Sequence, residues 1–250
     1  MGKIAAITNQ KGGVGKTTLA VNMGKSLAKL GYKTLLVDND PQGNLTLAIL
    51  GQKEEITSET LSLYKGEVVV PTEVSETLHF IGANIQLAAV TDMEFMCIYE
   101  FSGLLKDLAE FYDYVLIDCL PSFGYHLSAA FAAADKVLIP VKLSDFSVSG
   151  LEDLIEAMGK IQKHINQDID ILGLVANAVE NPKTNFEKLI EEQLEKDYPG
   201  ALFKTQINRS IKVEESHAFR QSVSEYQPKC KQAKQFDQVT EEFIGRLNND

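Results

Sequence analysis

Five short runs along the chain are almost wholly apolar: KIAAIT (3–8), KTLLVD (33–38), DYVLID (113–118), KVLIPV (136–141) and ILGLVANAV (171–179). Each is continuous rather than alternating, the pattern of strands covered on both faces in a parallel sheet. Between them, segments 16–30, 99–110, 145–163 and 183–197 repeat apolar residues at helical spacing. The first places Leu19, Val21, Met23, Leu27 and Leu30 before Gly31, a C-terminal stop. Region 44–98 is less regular and reads as short helices with a strand near 78–81, and 232–248 reads as a closing helix. Strand and helix in alternation predict an α/β fold: a doubly wound, mostly parallel sheet with helices on both faces and ligands at the strands' C-terminal ends. With no repeat, linker or low-complexity tract, 1–250 is expected to form one domain.

Composition adjusts this picture in three places. At 250 residues with 44% hydrophobic and 24% charged, the chain can bury a large core. No apolar run approaches the roughly 18–20 residues of a membrane span, and the first strand begins without the pattern of a signal peptide. Cys97, Cys119 and Cys230 stand apart with no C-x-x-C, as thiols of a reducing cytoplasm would. His79, His126, His164 and His217 lack metal-ligand spacing and read as surface or packing residues. Net charge is −11, yet residues 204–234 hold seven Lys/Arg against three Glu. An acidic body with a basic C-terminal quarter fits either a cationic binding face or an ordinary solvated one.

The candidate chemistry lies in the loops after strands. NQKGGVGKTT (9–18) follows the first strand and opens the first helix, as a phosphate-binding loop does. The usual pattern G-x-x-x-x-G-K-[ST] has glycine where Gln10 stands, and this loop carries a second lysine, Lys11. Gly12, Gly13 and Gly15 free backbone N–H groups to turn toward a phosphate, with Val14 and Thr18 completing the loop. The helix N-terminus adds its positive end. Lys16 would reach β- and γ-phosphates, and the Thr17 hydroxyl would ligate Mg²⁺. VDNDPQGN (37–44) sets Asp38 and Asp40 at the end of the second strand, and LIDCLPSFG (116–124) sets Asp118 after four apolar residues. Carboxylates so placed can hold Mg²⁺ or its waters, or orient an attacking water.

KGGVGKTT, VDNDPQGN and IDCLPSFG, in this order, resemble the ParA/Soj family of partition ATPases, in the deviant-Walker-A group that includes MinD. AAADKVLIPV, ILGLVANAV, PKTNF and INRSIKVEESHAFRQSVSEYQPKCK extend the likeness over essentially the whole chain. It implies a P-loop-type fold, ATP/ADP with Mg²⁺, and a homodimer formed on ATP. By the resemblance, Lys11 crosses an ATP-sandwich dimer to the partner's phosphates, and Asp40 positions the hydrolytic water. Asp38 and Asp118 surround Mg²⁺ with Thr17, and Asn177 and Arg209 lie near the adenine. Lys183 and Lys212 stand where arginines of the family are implicated in nonspecific binding of double-stranded DNA. Arg209 shares that surface, and Arg220 joins it by proximity. Leu120 and Asn208 replace prolines of the family, and Ser149 replaces a glutamate.

The implied function is plasmid or chromosome partition with a ParB-like centromere-binding partner, in the cytoplasm on the nucleoid and with no membrane. The phosphate loop begins too early for an N-terminal helix-turn-helix, as in the short, Soj-like members. A MinD-like membrane-associated division-site ATPase is the alternative. It would end in a basic amphipathic helix, whereas QFDQVTEEFIGRLNND is acidic and reads as weakly amphipathic. An iron–sulfur carrier of the same superfamily would need cluster cysteines at the dimer interface, and neither Cys97 nor Cys119 has a supporting motif. A passive DNA-binding module leaves the strand-end aspartates unexplained.

Overall fold

The computed structural model describes residues 2–51, 56 and 58–248. Its centre is a seven-stranded sheet built from β1 (Lys3–Ile7), β2 (Thr34–Asn39), β3 (Thr72–Ser75), β4 (Leu78–Ile81), β5 (Tyr114–Cys119), β6 (Lys136–Val141) and β7 (Asp170–Ala176). The order across the sheet is β3-β4-β2-β5-β1-β6-β7. All neighbours run parallel except β3, which pairs antiparallel with β4 at the edge. The predicted doubly wound α/β architecture is the one observed.

Continuous apolarity has the expected cause. Along β1, Ile4 and Ala6 enter one core while Ala5 and Ile7 enter the other. The first core packs under α3 (Thr60–Tyr64), α4 (Cys97–Ala109), α5 (Tyr125–Ala133), α6 (Val148–His164) and α7 (Asn185–Asp197). The second packs under α1 (Lys16–Lys29), α2 (Asn44–Leu50) and the C-terminal α10 (Lys231–Asn248). Two short helices, α8 (Ile211–Ala218) and α9 (Val223–Tyr226), link β7's far side to α10. A buried bond from the Val223 N–H to Asn22 Oδ1 (2.8 Å) ties α9 to α1.

Several expectations shift, each for a local reason. The run 171–179 stops being strand at Ala176, because Ala178 takes a left-handed φ of 53°. α7 begins at Asn185 rather than 183: Thr184 caps it, with Glu187 returning the bond in a capping box. α6 begins at Val148 because Ser147 caps it, and Leu143–Asp145 forms a separate 3-10 turn. α10 is distinctly amphipathic, contrary to the weak pattern read from its last sixteen residues. Phe236, Val239, Phe243 and Leu247 are buried along one face, packed in the core shared with α1.

Candidate nucleotide site

In register, Ile7 pairs with Asp118 and Asp38 pairs with Asp118, so the ends of β1, β2 and β5 lie side by side. The loop from β1 rises at this point. Asn9 ties it down, donating from Nδ2 to the Pro140 carbonyl (2.9 Å) and accepting the Lys11 N–H at Oδ1 (2.9 Å). Gly15, at φ 94°, stands against Asn177. A Cβ there would lie 2.1 Å from Asn177 Nδ2, so this position requires glycine. Asn177 in turn donates to the Val14 carbonyl (2.8 Å), and Val14 itself turns into the core.

The two lysines take opposite courses. Lys16 is 8% exposed and its Nζ donates to the carbonyls of Asn9 (2.9 Å) and Lys11 (3.0 Å), beneath the loop. Burial lowers its pKa, opposed by the nearby Asp118, Cys119 and Asp40. Lys11 leaves the loop altogether. Its Nζ pairs with Asp145 Oδ1 at 2.8 Å and also meets the Asp145 carbonyl, in the turn after β6.

Asp38 and Asp118 are buried, and Asp40 is partly exposed. Thr17 Oγ1 donates to Asp118 Oδ2 (2.6 Å), and Asp118 Oδ1 is buried without a partner. Burial and the neighbouring Asp38 raise the Asp118 pKa well above the carboxylate range, against the Thr17 bond and the Lys16 charge. Asp38 accepts at Oδ2 from the Thr46 N–H (2.7 Å) and hydroxyl (2.6 Å), and at Oδ1 from the Asp40 N–H (3.2 Å). Its pKa is raised to about 7, chiefly by burial. Asp40 accepts the Gln42 N–H at Oδ1 (2.9 Å), which fixes the turn into α2.

A cleft of about 740 Å³ opens over the loop, within the usual range for a bound small molecule. Gly12, Gly13, Gly15, Lys16, Thr17, Thr18 and Asp40 line it, with Leu120, Pro121 and Ser122 from the loop after β5. Added Cβ atoms at Gly12 and Gly13 would meet nothing within 4 Å, so their backbone faces open space. Pro41, Gln42 and Asn44 line it too, as do Leu47 and Ala48 of α2 and His217 of α8, none of these last three read as a site residue from the sequence. Leu47 and Ala48 follow the DNDPQGN motif directly. His217 is brought back over the cleft by the chain's return through α8, which no local pattern announces.

The basic residues are distributed differently. Arg209 Nη1 bonds Glu180 Oε1 (3.0 Å), Lys183 Nζ meets Glu191 Oε2 (2.5 Å), and Lys212 meets Glu215 (3.6 Å). Arg220, at a left-handed φ of 59°, lies against Gly51 at the end of α2. Arg209 and Asn177 do not line the cleft. Asn208, in place of the family's proline, uses the N–H that proline lacks, donating to Gln235 Oε1 (3.1 Å). Ser149 bonds Ser147 at the start of α6 (2.9 Å).

A glycine-rich strand–loop–helix cradle, a buried lysine beneath it and acids at the adjoining strand ends define a nucleotide triphosphate hydrolase of the P-loop kind, here with a second lysine. Comparison with known proteins narrows this. Residues 2–171 match the AAA domain family. The sporulation initiation inhibitor protein Soj of Bacillus subtilis is 33% identical over 256 residues, covering 98% of this chain and 99% of that one. The chromosome partitioning protein ParA of Myxococcus xanthus is 31% identical over 260 residues, covering 98% and 89%. Cobyrinic acid a,c-diamide synthase from Mycobacterium smegmatis, solved with ADP and magnesium bound, superposes at a TM-score of 0.84. It is 24% identical and covers 99% of this chain and 96% of that one, a likeness of fold. The chain belongs to the ParA/Soj family of partition ATPases, within the MinD/ParA superfamily. It is a ParA/Soj-like chromosome-partitioning ATPase.

Proposed function

We propose that this ATPase works as an ATP-sandwich homodimer that binds double-stranded DNA without sequence preference and hydrolyses ATP when a ParB-like centromere-binding partner stimulates it. The observation that carries the reading is the division between the lysines. Lys16 sits under its own loop, able to trade two carbonyls for phosphate oxygens, while Lys11 points away toward Asp145 at an exposed position. A lysine that leaves its own cradle is free to serve another, as an arginine finger does in trans.

The residues fit magnesium. Among the described residues no three His, Cys, Asp or Glu side chains converge as a metal cage. Mg²⁺, however, is usually held by one or two carboxylates with substrate phosphates and waters. Thr17 and the unpartnered Asp118 oxygen offer such a pair. Bound there, magnesium would neutralise charge on the β- and γ-phosphate oxygens. Asp38 contributes by holding the Asp40 N–H, and Asp40 orients the water that attacks the γ-phosphorus, ADP leaving with the bridging oxygen. Asn177 supports nucleotide binding through the loop it braces, and Arg209 is an exposed arm beside it.

On the DNA side, Lys183, Arg209, Lys212 and Arg220 are the proposed contacts. Three of them face glutamates of their own chain, so one protomer binds weakly and two set side by side bind more strongly. Such contacts go to phosphates and depend steeply on salt. No helix among the described residues is long and apolar enough to cross a membrane. α10 spends its apolar face on the core, which supports the DNA reading over a lipid-bound one. Sedimentation velocity and DNA co-sedimentation with ATP, with ADP and without nucleotide test the reading. A dimer that carries DNA with ATP alone is expected, and equal DNA binding without nucleotide would overturn it.

A further inference from the structure

Where β2 ends, the apolar core holds a small polar network. Asn39, the last residue of β2, is fully buried. By strand alternation its side chain points as Val37 does, toward α3, α4 and α5. Its Oδ1 accepts from the Tyr64 hydroxyl of α3 (2.8 Å), and its Nδ2 donates to the His126 carbonyl in the first turn of α5 (2.9 Å). Thr60, one turn earlier on α3, donates to the Asp38 carbonyl (2.8 Å). The Tyr64 ring is itself held, stacked on Phe101 with centroids 4.5 Å apart and edge-on to His126 at 5.8 Å. Burial raises the Tyr64 pKa well above its usual value, so the hydroxyl keeps the proton it donates. Asp40 is the next residue along the chain and lines the cleft. α5 follows the loop that brings Leu120, Pro121 and Ser122 to the same cleft.

We infer that Tyr64, acting through Asn39, is a positioning residue for hydrolysis: the pair fixes the end of β2 from which Asp40 reaches the cleft and ties it to α5. The inference rests on the water-orienting role proposed for Asp40. An apolar pair of similar shape would fill the same space at little or no loss of stability. A fully bonded polar pair instead specifies one geometry. The Tyr64 donor settles which way the Asn39 amide faces. Without it the amide can turn its nitrogen from the His126 carbonyl, and β2 loses its tie to α5. Hydrolysis is sensitive to such a change, because a displacement of about 1 Å at a reacting group can cost about 10²-fold in rate. Nucleotide affinity is not, since Asn9 and Asn177 brace the phosphate loop separately.

Tyr64→Phe keeps the ring and removes one oxygen. It is expected to lower kcat for ATP by about ten- to a hundredfold, with calorimetric ATP and ADP affinity and the ATP-dependent dimer as in wild type. Combining it with Asn39→Leu removes both partners, so thermal stability should recover from any loss in the single variant while kcat stays low. That pair of variants separates positioning from support of the fold. Recovery of kcat together with stability in the double variant would overturn the positioning role. So would unchanged kcat in Tyr64→Phe, or a loss of ATP affinity or of the dimer that accounts for the slower turnover. Asp40→Ala hydrolysing ATP at the wild-type rate would overturn the reading of Asp40 and the inference with it.

Discussion

In the phosphate loop Lys16 is buried and its ammonium meets backbone carbonyls, whereas Lys183, Arg209 and Lys212 each meet a glutamate of their own chain. The loop holds its cation by hydrogen bonds to neutral groups, with Asp118 and Asp40 acting on it only through space, so an arriving phosphate has no ion pair to break. Lys183, Arg209 and Lys212 are held by anions, so in the proposed function DNA must first displace those glutamates. A count of lysines and arginines does not distinguish these situations, because it omits the counter-charges, of which Glu180 lies 29 residues from Arg209 and Glu191 eight from Lys183. In the proposed function the loop works within one protomer, whereas the basic face depends on pairing two.

Lys11 is the residue that joins the two behaviours, since it belongs to the loop yet pairs like a surface cation. Lys11→Ala should therefore produce the largest effect. Partner-stimulated turnover is expected to fall by about 10³–10⁵, the span of a finger supplied in trans, with the ATP-dependent dimer lost on sizing columns. Asp40→Ala comes next. Its hydrolysis rate should fall by about 10²–10⁴ while ATP stays bound, leaving a trapped dimer. A monomeric elution profile at saturating ATP would argue against the role given to Asp40.

The basic face should respond more gently and in both directions. Lys212→Ala should reduce the slope of log affinity against log salt by about 1 on any DNA sequence, measured with ATP. Glu215→Gln should do the opposite by releasing Lys212, raising DNA affinity by about 1.5- to 5-fold, the worth of one exposed ion pair. Should the glutamine variant bind DNA no better, the pairing would carry no weight in the contrast drawn above.

Much of this was readable beforehand, and the omissions have physical causes. β1, β2, β5 and β6 declared themselves because strands buried on both faces are apolar throughout. The same property hid α5: Leu127 and Ala129 to Ala133 are all buried, which leaves no polar stripe to mark a helical period. β3 escaped notice for the opposite reason, since Thr72–Ser75 is polar and exposed at the sheet's edge. At the site, the loop and the strand-end acids were legible because neighbours in sequence make the geometry. Placement of Lys11 on Asp145 spans 134 residues, and that of His217 over the cleft depends on α8 folding back, so neither leaves a local trace.

In the proposed function, two lysines five residues apart serve different nucleotides, Lys16 its own and Lys11 the partner's. Calorimetric titration of ADP into the monomeric proteins tests it most directly, because ADP binding needs no second protomer. Lys16→Ala is expected to lose affinity by at least about thirtyfold, as befits removal of a buried charge from its anionic partner, while Lys11→Ala binds ADP as wild type does. Loss of ADP binding in Lys11→Ala, or unchanged binding in Lys16→Ala, would contradict the account.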